Sequence, residues 1–453
     1  MPKRMKMNDM KNFIRISTLT MILFTAAILP DASAAVFSYT GWPVTAASIL
    51  LFAAANILPP SRKAVLPAKL QIERSGHDLL CAFLLLIIPE LIYGLLSERF
   101  FPGLFHENFW LNAVFVYLME LVIFWNGIIR VYLTSSMLGT RLRIIGILCG
   151  MIPVLNIIVL IRIISITGSE VKMEEARCER DLLRKGKNIC ATKYPIVMVH
   201  GVFFRDLENF NYWGRIPEEL KKNGAVIYYG NQQSSLSIAD SGKELAKRIE
   251  AIVQETGCEK VNIIAHSKGG LDSRYAITKC GMDQYVASLT TINTPHRGCV
   301  FAEWLFDHLP ESARTGIADK YNQAFRLLGD TTPDFIAAVV DLKASYCKKF
   351  NEETPDSQNV YYQSVGSKIN KPVQSVFPLN MSYLFARFFD GENDGLVSVE
   401  SAKWGEKFTY LSSEKTDGVS HADVIDLFRH DKQDLDIREF YVTLVSDLKE
   451  KGL

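Results

Sequence analysis

The stretch from Lys260 to Tyr275, KVNIIAHSKGGLDSRY, constrains the fold more than any other part of this chain. Val261, Ile263, Ile264 and Ala265, interrupted only by Asn262, form the short apolar run of a strand buried on both faces. It leads into His266, Ser267, Lys268 and two glycines, after which the pattern turns helical. A strand ending in small-His-Ser-x-Gly and continuing as a helix predicts a sharp elbow with the serine at its tip. The residues two before and two after that serine must be small, because strand and helix approach closely there. Ala265 and Gly269 meet this condition, with alanine in the place of the more usual glycine. A plain Gly-rich turn carrying an inert serine is the alternative. The elbow supports chemistry only if the rest of the chain supplies a base, an acid and amides for an oxyanion.

The 453 residues suggest two or three folded units, and the first third is far more apolar than the rest. A net charge of +1 gives no reason to expect a nucleic-acid partner. The eight cysteines show no C-x-x-C spacing or Cys/His cluster, so zinc and thioredoxin-like sites are unsupported and buried free thiols are expected.

Five apolar stretches, Ile16–Leu29, Val44–Leu58, Leu79–Leu96, Phe109–Ile129 and Ile144–Ile161, predict an all-α transmembrane helical domain over residues 1–168 with about five spans. A spanning helix needs roughly 17–25 residues, a length the last three reach and the first two reach only with their flanks. The first stretch reads equally as a signal peptide, with a basic start and Ala32-Ser33-Ala34 as a cleavage site. Lys and Arg alternate between connections: Arg62, Lys63, Lys69 and Arg74 in the second, Arg99 alone in the third, and Arg130, Arg141 and Arg143 in the fourth. That pattern places the N-terminus in the cytoplasm and everything after the fifth span outside, although six basic residues from Lys172 to Lys187 run against it. Glu90, Glu120, Asn126 and Asn156 fall within spans and are expected to bond inside the bundle or pair with residues such as Arg130. A charged linker follows over 169–192, with opposite charges at helical spacing.

From 193 to 453 the pattern alternates strands and helices. Tyr194–His200, Ala225–Tyr229, the elbow strand, Val286–Ile292, Asn359–Val365 and Lys407–Leu411 read as strands. Ile216–Asn223 and Ser241–Thr256 read as helices between them. Such alternation implies a mainly parallel sheet covered on both faces.

His200-Gly201-Val202 closes the first strand, and Lys268 follows the serine, so Val202 and Lys268 are the candidate backbone N–H donors for an oxyanion. His200 is expected to hold the loop. Asp394 lies in GENDGLV ahead of the last strand and His421 in VSHAD after it, giving the chain order Ser267, Asp394, His421. A serine hydroxyl is a poor nucleophile until a histidine takes its proton, and that histidine needs a buried carboxylate to fix its tautomer. His296, His308 and His430 are rival bases and Asp390 a rival acid; a structural role is expected for His296.

These motifs together resemble one family. VHG at Val199–Gly201, NYWGRIPEELKKNGAVIYY from Asn211, the elbow, TPHRG at Thr294–Gly298, NDGLVS at Asn393–Ser398 and SHAD at Ser420–Asp423 look like the bacterial true lipases (triacylglycerol lipases). The resemblance covers slightly more than half the chain and belongs to the A-x-S-x-G branch. It implies an α/β-hydrolase fold, with Ser267 as nucleophile, Asp394 as acid, His421 as base, and Val202 and Lys268 as oxyanion amides. The family's secreted members lack a counterpart of the first third.

Many of these lipases hold a structural calcium through two aspartates. Asp423 matches one, but near Gly366-Ser367-Lys368 there is no acid, so Lys368 is expected to pair with Asp423 in the cation's place. No metal ligands and no cofactor are expected. The insertion at 299–351 carries Phe301, Trp304, Leu305 and Phe306, and reads either as a lid over the serine or as packed core helices. The expected function is that of an integral-membrane serine hydrolase, its catalytic domain extracytoplasmic, cleaving carboxyl esters of lipids through an acyl-enzyme. Its expected partners are a lipid ester substrate and the bilayer. Phospholipase, thioesterase or acyltransferase chemistry would use the same triad. A membrane scaffold or transporter with an inactive hydrolase-like domain is the non-enzymatic alternative.

Overall fold

The structure, a computed structural model, describes residues 2–37, 42–57, 66–100, 109–150, 152, 154–202, 211–327, 330–372, 375, 379–413, 418–429, 431–432 and 435–453. It divides into two compact units, Met1–Leu182 and Leu183–Leu453.

The first unit is helical. Helices α1 (Pro2–Phe37), α2 (Trp42–Ile57), α3 (Ala68–Phe100), α4 (Phe109–Thr134), α5 (Gly139–Cys149) and α6 (Leu155–Arg184) follow one another. Among the described residues, three stretches are long and apolar enough to cross a membrane: Asp9–Pro30, Ala68–Leu96 and Val114–Thr134. Trp42–Ile57 is apolar but shorter. The fifth expected span, Ile144–Ile161, is not one helix: α5 ends at Cys149 and α6 begins at Leu155. Gly150 is the last residue described before that break. Arg62, Lys63 and the 38–41 connection lie outside the described residues.

Several polar groups within this unit bond one another. Arg15 on α1 grips Asp78 on α3 through Nε and Nη2 at 2.6 and 2.9 Å. Asn126 donates to the Asn56 carbonyl at 3.0 Å, as expected of a polar residue inside a bundle. Glu120 departs from expectation, for among the described residues neither carboxylate oxygen has a hydrogen-bond partner. Arg130 lies ten residues further along α4, about 15 Å at 1.5 Å per residue, and bonds Ser75 and the Asn56 carbonyl instead.

The second unit has the expected α/β-hydrolase fold. Its strands, β1 (Ile196–Val199), β2 (Ile227–Tyr229), β3 (Val261–His266), β4 (Val286–Ile292), β5 (Tyr361–Ser367) and β6 (Lys407–Leu411), form one sheet in the order β2-β1-β3-β4-β5-β6. Every pairing is parallel. Side chains alternate across the sheet, so one strand feeds two cores. Ile196, Met198 and Ile264 pack with Trp213, Tyr441 and Val445 on one face. Val197, Val199, Ile263 and Ala265 pack with Leu245, Ile249, Ile252 and Ile277 on the other. The covering helices are α7 (Ile216–Lys222), α8 (Ile238–Thr256), α9 (Lys268–Lys279) and α16 (Ile437–Glu450). Helix α8 starts three residues before the expected position because the Ser237 hydroxyl accepts the Asp240 N–H at 3.1 Å as an N-cap.

The insertion folds into α10 (Val300–His308), α11 (Glu311–Leu327), α12 (Phe335–Val340) and α13 (Ala344–Glu353). Phe301, Cys347 and Phe350 are buried, as packed core helices require, whereas Trp304 and Leu305 are exposed. Helix α14 (Leu379–Asp390) has no counterpart in the sequence-based assignment, and the short α15 (Val399–Ala402) precedes β6.

Candidate active site

Strand β3 delivers Ser267 at the C-terminal edge of the sheet with φ 54° and ψ −133°. A non-glycine residue at such a positive φ is strained and persists only where its surroundings over-determine it. The surroundings here are tight. A Cβ on Gly269 would lie 2.3 Å from the His200 carbonyl oxygen, and one on Gly270 would lie 2.2 Å from Thr294 Oγ1. The Ser267 N–H donates to the Ile292 carbonyl at 2.9 Å, and its own carbonyl accepts from Thr294 Oγ1 at 2.8 Å. The glycines therefore answer to close approach, which is the reason their spacing is readable.

The structure brings Ser267, His421 and Asp394 together although 27 residues separate the last two and 154 separate Ser267 from His421. His421 Nε2 stands 3.0 Å from Ser267 Oγ, and His421 Nδ1 stands 2.7 Å from Asp394 Oδ2. Asp394 is fully buried, and its Oδ1 accepts the N–H groups of Leu396 and Val397 at 2.9 and 2.8 Å. Asn293, at the end of β4, donates Nδ2 to Asp394 Oδ2 at 2.6 Å and to Ser367 Oγ at 2.8 Å. A serine hydroxyl, an imidazole and a buried carboxylate in this sequence can relay a proton away from the hydroxyl.

Lys268 is the first residue of α9, where a helix amide has no intrahelical partner. The β1 loop lies beside it: a Cβ on Gly201 would stand 2.7 Å from Ser267 Cβ, and Val202 follows. Two side chains hold that loop, one of them backed by His266. His200 contacts the Gly201 and Gln232 carbonyls, each at 2.9 Å. Tyr212 Oη accepts the Gly201 N–H at 3.1 Å and meets His266 Nδ1 at 2.6 Å. The His266 ring lies 4.4 Å from that of His421, and burial, reinforced by His421, holds its pKa well below the ordinary histidine value.

The described rivals sit elsewhere. His296 is buried, stacks on Trp404 at 4.9 Å and meets Thr291 Oγ1 at 3.0 Å; burial, with Arg274 and Arg297 nearby, keeps it neutral well below the usual range. His308 contacts the Trp304 carbonyl on the surface. His430 lies outside the described residues. Asp390 accepts the Val300 and Phe301 N–H groups at 2.9 and 3.0 Å, so it caps α10.

One expectation is corrected. Lys368 does not pair with Asp423; its Nζ meets Glu392 Oε1 at 2.5 Å. Asp423 instead meets Lys432 Nζ at 2.9 Å while accepting from the Ser420 N–H and hydroxyl. The cation comes from the segment ahead of α16 rather than from the end of β5, because Glu392 is the acid that faces Lys368.

Sequence reasoning gives no role to Asn293, whose partner lies 101 residues away, and Tyr212 enters only as part of the NYW motif, with no role assigned. Its place immediately after an apolar strand marks Asn293 only as a turn residue.

Comparison with known proteins finds relatives among lipases. A family model described as palmitoyl protein thioesterase matches residues 195–378. Triacylglycerol lipase 2 of Saccharomyces cerevisiae is 30% identical over 270 residues, covering 55% of this chain and 76% of the yeast protein. A triacylglycerol lipase of Pseudarthrobacter phenanthrenivorans is 34% identical over 180 residues, 37% of this chain and 56% of that relative, so the chain spans about half its length. The mature form of a Bacillus licheniformis lipase is 26% identical, covering 52% of this chain and 88% of the other with a TM-score of 0.40.

Proposed function

This chain belongs to the lipase family of the α/β-hydrolases and is a carboxylic ester hydrolase, and on that premise we propose that it is a membrane-anchored lipase cleaving acylglycerol esters through Ser267, His421 and Asp394. The observation that carries the proposal is the unbroken line of contacts from Ser267 Oγ through His421 to Asp394, at 3.0 and 2.7 Å.

In the proposed reaction His421 Nε2 takes the Ser267 proton as Oγ attacks the ester carbonyl. The tetrahedral oxyanion takes hydrogen bonds from the Val202 and Lys268 amides, and one such donor is worth about 3 kcal/mol in the transition state. Asp394 stabilises the imidazolium. His421 then passes its proton to the leaving alcohol, and water activated by the same imidazole releases the fatty acid from the acyl-serine. Nothing in this sequence calls for a metal or cofactor. The three helices long enough to span a bilayer support anchoring. Outward Trp304 and Leu305 on α10 favour that helix as the part of the insertion that meets apolar substrate.

Thioester hydrolysis is a second reading, favoured by the palmitoyl protein thioesterase model over residues 195–378. Purified full-length protein assayed against acylglycerol, phospholipid and acyl-thioester substrates separates the two. A preference for acylglycerol is expected, and a preference for thioester would replace the first reading by the second.

A further inference from the structure

The side chain of Lys268 runs inward. It is 1% exposed, and its Nζ donates to Asp272 Oδ1 at 2.7 Å and to Ser241 Oγ at 3.0 Å. Asp272 is 2% exposed and one turn further along α9, whereas Ser241 belongs to α8. A buried ion pair sits directly behind the strained serine.

Stability does not explain this pair. Desolvating two charges costs several kcal/mol, and an apolar pair of similar volume is often as stable or more so. Burial pushes the Asp272 carboxyl up to about 7 even though the Lys268 cation pulls the other way, so the environment resists the charge it holds. The neighbouring carboxylates are occupied elsewhere: Asp341 accepts the Ile238 N–H at 2.6 Å, and Glu244 accepts the Gln233 N–H and side-chain amide, each at 2.8 Å.

What the ammonium supplies is direction. Two of its three donors are fixed on two different helices, which ties the backbone of Lys268 to α8 as well as to its own helix. That backbone carries one of the amides proposed to meet the oxyanion, and such a donor must be held to within about half an ångström to act. It also adjoins Ser267, whose φ of 54° would relax if the first turn of α9 were free to rotate.

We propose that Lys268 is a positioning residue, whose side chain, locked to Asp272 and Ser241, aims its own amide at the developing oxyanion. The inference rests on the proposed role of Ser267. An apolar residue would fill the same space without fixing the amide against α8, so the ion pair serves transition-state geometry.

The test uses the detergent-solubilised full chain and a soluble p-nitrophenyl ester, with kcat expressed per serine titrated by a fluorophosphonate. The double variant K268M/D272L removes both charges and leaves none buried alone. Its kcat is expected to fall about tenfold with KM within about twofold, a part of the hundredfold or more lost when a whole oxyanion donor is removed. S241A, which keeps the ion pair and loses one anchor, is expected to show a smaller fall in kcat alone. A double variant whose kcat per titrated serine stays within about twofold of the parent overturns the proposal whatever its Tm, and so does a change confined to KM. S267A run alongside separates the two levels. An inactive S267A with a fully active double variant refutes only the role of Lys268, whereas an active S267A refutes the nucleophile assignment on which it rests.

Discussion

Asn293 Nδ2 donates to Asp394 Oδ2 at 2.6 Å, and the same carboxylate oxygen receives His421 Nδ1 at 2.7 Å. With the Leu396 and Val397 amides on Oδ1, the carboxylate has four donors and no freedom to rotate. Asn293 can adopt the φ of 45° its position requires, a conformation that asparagine tolerates better than most residues.

Removing this amide should cost activity. A hydrogen bond to a charged group is worth about 1.5–3 kcal/mol, so N293A is expected to lower kcat by about tenfold or more. N293D should be worse, because two carboxylates so close cannot both ionise and His421 would face a shared proton. Steady-state kinetics on folded protein, judged by Tm, checks this; unchanged kcat in both variants would remove Asn293 from the account.

The Lys432–Asp423 pair holds the loop that carries His421, together with Arg215, whose guanidinium bonds Asp426 at 2.7 Å and Asp431 at 3.0 Å. The lysine side chain is 21% exposed, so solvent screens part of the attraction and about 1 kcal/mol is a fair expectation. K432A should therefore lower Tm by about 2–4 °C. Calcium added to the parent protein should leave Tm unchanged, since a lysine already neutralises Asp423. A calcium-dependent rise of several degrees, followed by differential scanning calorimetry, would show that the lysine does not take the cation's place.

The buried histidines set a pH dependence. Burial lowers the pKa of both His266 and His296 in the folded state, so below the ordinary value of about 6.5 the unfolded chain binds more protons than the folded one. The stability they confer is complete above that value and is lost as pH falls toward the lowered folded values. Each contributes a slope of up to about 1.4 kcal/mol per pH unit. Denaturant unfolding between neutral and acid pH should show that loss, and H296Q should flatten it; a slope unaltered by H296Q would mean that His296 protonates without cost.

The parts of this fold legible in sequence are those written locally. Strands β4 and β6 occupy the residues their apolar and β-branched runs mark, since each is a short run between turn residues. The elbow is legible because steric contact dictates Gly269 and Gly270. Three features were not. Helix α14 exposes Met381, Leu384, Phe385 and Phe388 and buries Tyr383 and Ala386, so its apolar residues do not mark the face that packs. Hydropathy runs on past Cys149, where helix α5 ends. The inward course of Lys268 depends on Asp272 and on Ser241, 27 residues earlier, and an isolated lysine after a serine reads as solvent-exposed.

The central claim is that Ser267 is the nucleophile of a hydrolase. A fluorophosphonate probe phosphonylates a serine only when a base activates its hydroxyl. Applied to membranes containing the full chain and followed by peptide mass spectrometry, it should modify Ser267 in the parent and leave S267A unlabelled at unchanged Tm. Labelling that persists in S267A, or a folded parent that takes up no probe, would contradict the claim.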